Sequence, residues 1–97
     1  MRLRKLAKPV FIRRVSGDSM KPTLKHGQLV PASSVLNPKV GSIVIVSHNN
    51  LEKIKRVKLI TDKHLEIIGD NPEMSTDSRT FGLIDFDSVI GTVLFIR

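Results

Sequence analysis

The sequence predicts a small, mainly β domain of at least five short strands with at most one helical turn. Three observations carry this. The apolar segments are short and rich in Val and Ile; clusters of Gly, Pro, Asn and Ser separate them; and only Asp85-Phe86-Asp87-Ser88 suits a turn of helix. Ninety-seven residues make one domain, and 40% hydrophobic content fills a modest core. The expected division is a basic arm at 1–8 and a single folded domain at 9–97.

Residues 1–8 are basic with scattered apolar side chains, and Pro9 ends any helix begun there. They read as a solvated arm; contact with a membrane surface or a partner through residues 1–14 is the alternative. Residues 10–16 read as a strand. It runs into Ser16-Gly17-Asp18-Ser19-Met20-Lys21-Pro22-Thr23-Leu24, whose composition forbids a regular helix or central strand. Gly17 admits positive φ, and Pro22 fixes its own φ and donates no hydrogen bond. Lys25-His26-Gly27 is a turn. Gln28-Leu29-Val30 opens a strand that Pro31 makes short or places at an edge. Residues 37–41 turn again, and Ser42–Ser47 is the most β-rich and most central piece.

His48-Asn49-Asn50 signals a hairpin. Residues 51–60 could be helical on propensity, but the hairpin before them and Thr61-Asp62-Lys63 after them favour a strand. A strand places Leu51, Lys53, Lys55, Val57 and Leu59 on one face, and Ile54 and Arg56 on the other. Leu65–Ile68 is a further strand. Residues 69–82 form a polar loop, long enough in so small a domain to be functional. A strand at 90–96 closes the chain, and the four Phe go to the core.

There is no cysteine, which excludes disulfides, zinc–thiolate sites and a thiol nucleophile. The net charge of +7 is uneven: residues 1–65 hold fourteen Lys and Arg against three acids, and the remainder is acidic. Such an excess suits nucleic acid, anionic lipid or an acidic protein, or simply solubility. The longest uninterrupted apolar run is Ile43–Val46, far short of the ~18–20 residues that span a bilayer. No secretory signal is seen, so the expectation is a cytoplasmic, soluble protein, with peripheral membrane contact as a variant.

Ser19 is the candidate nucleophile, and a serine hydroxyl needs a base. His26, His48 and His64 fit no triad motif or metal-ligand spacing and read as surface loop residues. A lysine base must lose roughly three pKa units, about 4 kcal/mol, which burial and nearby cations supply. Lys55 is the best placed, beside Val57 with Lys53 and Arg56 close by.

Residues 16–24 resemble the nucleophile box of the signal peptidase I family. Val40–Val46 is similar to that family's next strand, Ile54-Lys55-Arg56-Val57 to its lysine box, and Gly69-Asp70-Asn71-Pro72-Glu73-Met74-Ser75-Thr76-Asp77-Ser78-Arg79 to its last box. The four occur in the family's order. The resemblance implies an antiparallel, partly barrel-like catalytic core of the signal peptidase/LexA kind, acting as a serine endopeptidase with a Ser/Lys dyad. In it Ser19 is the nucleophile, Lys55 the base and Ser75 the group orienting that lysine. Asp77 and Arg79 form a structural ion pair, and Gly69, Asp70 and Asn71 shape the turn near the site. The nucleophile loop includes Gly17, Asp18, Met20 and Pro22, with the Ser19 N–H as oxyanion donor and Met20 lining the pocket or packing in the core. Some members carry a serine donor where Gly17 stands. Gln28 stands where an aspartate is usual, and Pro72-Glu73-Met74 departs from the commoner residues.

With no anchor and no large insertion seen, the sequence looks closest to the small nickel-type superoxide dismutase maturation proteases. These remove an N-terminal extension from a protein substrate; no cofactor, catalytic metal or nucleic-acid partner is expected. The alternatives are general processing of preproteins, a LexA-like self-cleaving repressor relative, and a non-catalytic basic β module that binds nucleic acid or lipid. Only eighteen residues precede Ser19, leaving no room for a helix-turn-helix.

Overall fold

The computed structural model describes residues 9–95. The expected arm at 1–8 lies outside them. Seven strands, β1 Val10–Arg14, β2 Leu29–Ser33, β3 Ile43–His48, β4 Leu51–Ile60, β5 His64–Ile68, β6 Ile84–Asp85 and β7 Val89–Val93, form one antiparallel sheet. Their spatial order is β1-β2-β7-β3-β4-β5-β6, so the sheet is open, with β1 and β6 at its edges.

Ile43–Val46 is buried residue by residue, which is why it reads as an unbroken apolar run rather than an alternating one. Its strand is the middle one of the seven. The two faces of the sheet carry separate apolar clusters. Val44, Val46, Val57, Leu65, Ile67 and Ile84 make one, closed by Ile60, Phe81, Phe86 and Val89; Val15, Met20, Leu24, Val30 and Ile43 make the other, with Ile54 and Val93 against it. Phe95, expected inside, is 54% exposed.

The hairpin between β3 and β4 is a two-residue turn, with Asn49 at φ 51° and Asn50 at φ 64°. Both central residues then have the left-handed backbone that matches the twist of the flanking strands. It fixes the register His48↔Leu51 through Val44↔Lys55, and so decides which β4 side chains face which cluster.

Three elements depart from the sequence reading. Pro31 lies within β2, which is flanked by β1 and β7 rather than at an edge. Beside Pro31, β7 is ending, and its extension donates the Leu94 N–H to the Pro31 carbonyl, so the missing proline donor breaks no ladder. The single helical turn at Phe86–Ser88 is joined by two others within the 69–82 loop, a 3-10 turn at Pro72–Met74 and an α turn at Ser78–Phe81. The latter is capped by the Asp77 carboxylate, which accepts from the Arg79 N–H. The two-residue β6 is too short to leave a periodic signal.

Candidate active site

The loop after β1 is pinned at its base. Val15 N–H donates to the Gln28 carbonyl at 2.7 Å, and the Gly27 N–H returns to the Val15 carbonyl at 2.8 Å. Buried Met20 and Leu24 anchor the loop in one apolar cluster, with Leu24 N–H bonded to the Met20 carbonyl. Gly17 has φ 85°, where a side chain is strained. Its N–H donates to His26 Nδ1 at 2.8 Å. His26 thus acts as a loop tie, and the Gly17 amide, already engaged, is not available to a substrate.

The loop is also tied to residues 69–71. Asn71 donates its N–H to the Ser19 carbonyl at 2.8 Å and its Nδ2 to the Asp18 carbonyl at 3.0 Å. Thr23 Oγ1 donates to Asp70 Oδ2 at 2.5 Å, and the same carboxylate takes a bidentate pair from Arg56 at 2.8 and 2.7 Å. Arg56, beside Lys55 on β4, therefore reaches the nucleophile loop through one shared carboxylate. Hydrogen bonding to Arg56 is the main cause that holds Asp70 below, and raises Arg56 above, their ordinary values. Gly69 leaves no room for a side chain: a Cβ there would stand 2.3 Å from Ser75 Oγ and 2.6 Å from the Ser19 carbonyl.

Lys55 is 4% exposed. Its Nζ donates to Ser75 Oγ at 2.9 Å, and Ser75 Oγ donates on to Asp77 Oδ2 at 2.6 Å. Asp77, fully buried, also accepts from the Gly69 N–H at 2.7 Å and pairs with Arg79 through both oxygens. Burial pushes the Asp77 carboxyl up, but hydrogen bonds from Arg79, Ser75 and two backbone amides outweigh it and hold the group well below the usual carboxylate range. Lys55 moves down from its ordinary value. Burial is the main cause, the Asp77 charge opposes it, and Lys53 and Arg79 add to it.

Ser19 and Lys55 line one cavity of about 310 Å³, together with Gly17, Asp18, Met20 and Thr76. Pro22 and Ser75 do not line it; Ser75 stands behind Lys55. Met20 both lines the cavity and packs in the core. Among the described residues the Ser19 hydroxyl and the Ser19 N–H have no hydrogen-bond partner, and Ser19 lines the cavity. A buried lysine of lowered pKa, fixed by a serine and a carboxylate, can accept a proton, and a free amide beside a hydroxyl can stabilise an oxyanion.

The sequence reading did not give Thr23, His26 or Arg56 their roles as ties. Arg56 and Asp70 are fourteen residues apart and Thr23 lies a further loop away, so no spacing rule joins them. Among the described residues no group of His, Asp and Glu has the arrangement to hold a metal ion, and no helix is long and apolar enough to cross a membrane.

The chain matches the family described as Peptidase S24-like over residues 2–94. It is also similar to signal peptidase IB of Staphylococcus aureus strains Mu50, N315 and MW2, 59% identical over 29 residues in each. That stretch covers 30% of this chain and 15% of the relative.

Proposed function

The chain belongs to the Peptidase S24-like family, and we propose that it is a serine endopeptidase in which Ser19 is the nucleophile and Lys55 the general base. One observation carries this reading: Lys55 is buried and held by Ser75, itself fixed by Asp77, in the wall of the cavity that Ser19 also lines. A surface lysine would be charged and useless as a base; this one sits where burial favours the neutral amine.

The Ser19 hydroxyl attacks the scissile carbonyl as neutral Lys55 takes its proton. The developing oxyanion accepts from the Ser19 N–H. Lys55 then passes the proton to the leaving amine, leaving an acyl ester on Ser19, and finally deprotonates the water that hydrolyses it. The Gly17 position supplies no side-chain donor, so the oxyanion site has one donor fewer than in members with a serine there. Such a donor is worth roughly 3 kcal/mol.

An extended substrate has a place to bind. β5 pairs with β4 only from Arg56 onward, so among the described residues Leu51–Lys55 keeps one backbone edge unpaired. A peptide strand can add to that edge with its scissile bond beside Lys55.

For the substrate, we propose the N-terminal extension of a nickel-type superoxide dismutase precursor, on the resemblance carried by Gly69-Asp70-Asn71-Pro72. Incubating the purified chain with that precursor and weighing the products tests it. A single shortened product, absent with Ser19→Ala, is expected. An uncut precursor alongside cleavage of other proteins would reject this substrate and leave the peptidase reading standing. Shortening of the chain itself on incubation alone would favour the self-cleaving alternative.

A further inference from the structure

β1 and β4 are not neighbours in the sheet; β2, β7 and β3 lie between them. Yet Arg13 on β1 holds Glu52 on β4 with two parallel bonds, Nε to Oε1 at 2.7 Å and Nη2 to Oε2 at 3.2 Å. The sheet therefore curls until these two strands face each other. The cavity lies in the gap, with Arg13–Ser16 on one side and Glu52–Lys55 on the other. The ion pair crosses the gap at the end away from Lys55. Arg13 is steadied there by the face of Phe11, 4.7 Å from its guanidinium carbon, and by a bond to the Ile12 carbonyl.

A solvent-exposed pair of this kind adds little to stability. Arg13 and Glu52 are 39% and 44% exposed, so a third charged group can reach them. On β4, Glu52 precedes Lys55 by three residues, about 10 Å at strand spacing. Cross-strand partners share a face. The substrate residue opposite Glu52 thus points to the same face as Glu52 and Ile54, three residues from the one opposite Lys55. On a strand added in this way, its side chain would meet the ion pair. The charge around the cavity is not balanced: Arg13, Arg14, Lys53 and Lys55 line it against Asp18 and Glu52.

We propose that Arg13 and Glu52 form a charge-reading subsite that selects an acidic substrate side chain three residues from the scissile bond. Arg13 offers its remaining donors to the incoming carboxylate, and Glu52 keeps the guanidinium plane oriented across the gap. A basic side chain at that position meets the excess positive charge and is disfavoured. This proposal rests on the peptidase reading and on substrate addition to the β4 edge.

The test uses the full chain and a mixed peptide library derived from a proteome, with products sequenced by mass spectrometry and aligned on the cut bonds. Ser19→Ala provides the blank. Asp and Glu should be enriched about twofold to fivefold over Lys and Arg at one position three residues from the cut, the range expected of partly exposed charges. The enrichment should shrink in high salt, vanish in Arg13→Gln and grow in Glu52→Gln. Charge-blind cleavage, or an enrichment that survives Arg13→Gln, overturns the subsite while leaving the dyad intact. No cutting by the wild-type chain overturns the subsite and the peptidase reading together.

Discussion

At the scale of single residues, proton transfer from Ser19 turns on the state of Lys55. It must be neutral to accept the Ser19 proton, so kcat/KM should rise with pH along a limb set by Lys55. Burial lowers that group, so the limb should lie below the ordinary lysine range. Asp77 opposes the lowering. In Asp77→Asn the residual activity should therefore have its limb at lower pH, as a pH–rate profile would show; an unchanged or raised limb would contradict the assignment. The stability consequence has the same origin. Because the folded Lys55 value is depressed, the unfolded chain binds more protons between it and the ordinary value, so this contribution rises with pH across that window. Asp77 behaves in the opposite sense: its stabilisation is present above the ordinary carboxyl value and lost as pH falls through the acid range. Removing it altogether, in Asp77→Ala, leaves the Gly69 N–H and the Ser75 hydroxyl without their acceptor. The expected loss is on the order of 3 kcal/mol by denaturant unfolding.

At the scale of elements, the site depends on two loops held against one strand. Residues 16–24 are irregular and 69–79 hold only short helical turns; the ties between them are hydrogen bonds from Asn71 and Thr23 and the bare approach of Gly69 to Ser19, with Arg56 bracing Asp70 from β4. Gly69→Ala places a Cβ inside both Ser75 and the Ser19 carbonyl, so the loops must separate. A stability loss of about 1–3 kcal/mol is expected, as for other overpacked sites. Cleavage should fall by more than that loss explains, because Ser19 and Ser75 both move; a folded Gly69→Ala protein with wild-type kcat would remove this link. His26→Ala frees the Gly17 amide from its acceptor. The expected result is a lower kcat with the melting temperature changed by only a few degrees, measured by turnover and thermal unfolding side by side.

At the scale of the whole molecule, the fold places two core clusters on opposite faces of one sheet, with β3 shared between them. Truncating Ile67 in one cluster should cost about 2–5 kcal/mol and still give a single unfolding transition, since the strands of both clusters belong to one ladder. Much of this architecture was legible in the sequence. The buried run Ile43–Val46 marked the central strand, and the Asn49-Asn50 pair marked the hairpin that makes residues 51–60 a strand. The alternation within β4 put Lys55 on the face of Val57, and both are buried. The family resemblance pointed to Ser19, Lys55, Ser75, Asp77 and Arg79 as a set, and the fold brings these residues together. What was not legible was set by three-dimensional closure. No periodicity shows that β1 curls to face β4, that Arg13 finds Glu52, or that Thr23 and Arg56 share Asp70. Of the two outcomes expected of Pro31, a short strand holds, at five residues, and an edge position does not, because a missing donor is tolerated where the neighbouring strand ends and short-range rules do not see the neighbour.

The most direct test of the Ser19/Lys55 assignment is the mass of the chain itself, acid-quenched during turnover of an activated peptide ester and mapped by peptide sequencing. With Ser19 as nucleophile and Lys55 as base, an acyl adduct is expected on Ser19 in the wild-type chain, none in Ser19→Ala, and none above background in a folded Lys55→Ala protein. An adduct on another residue, or one that forms as fast without Lys55, would contradict that assignment.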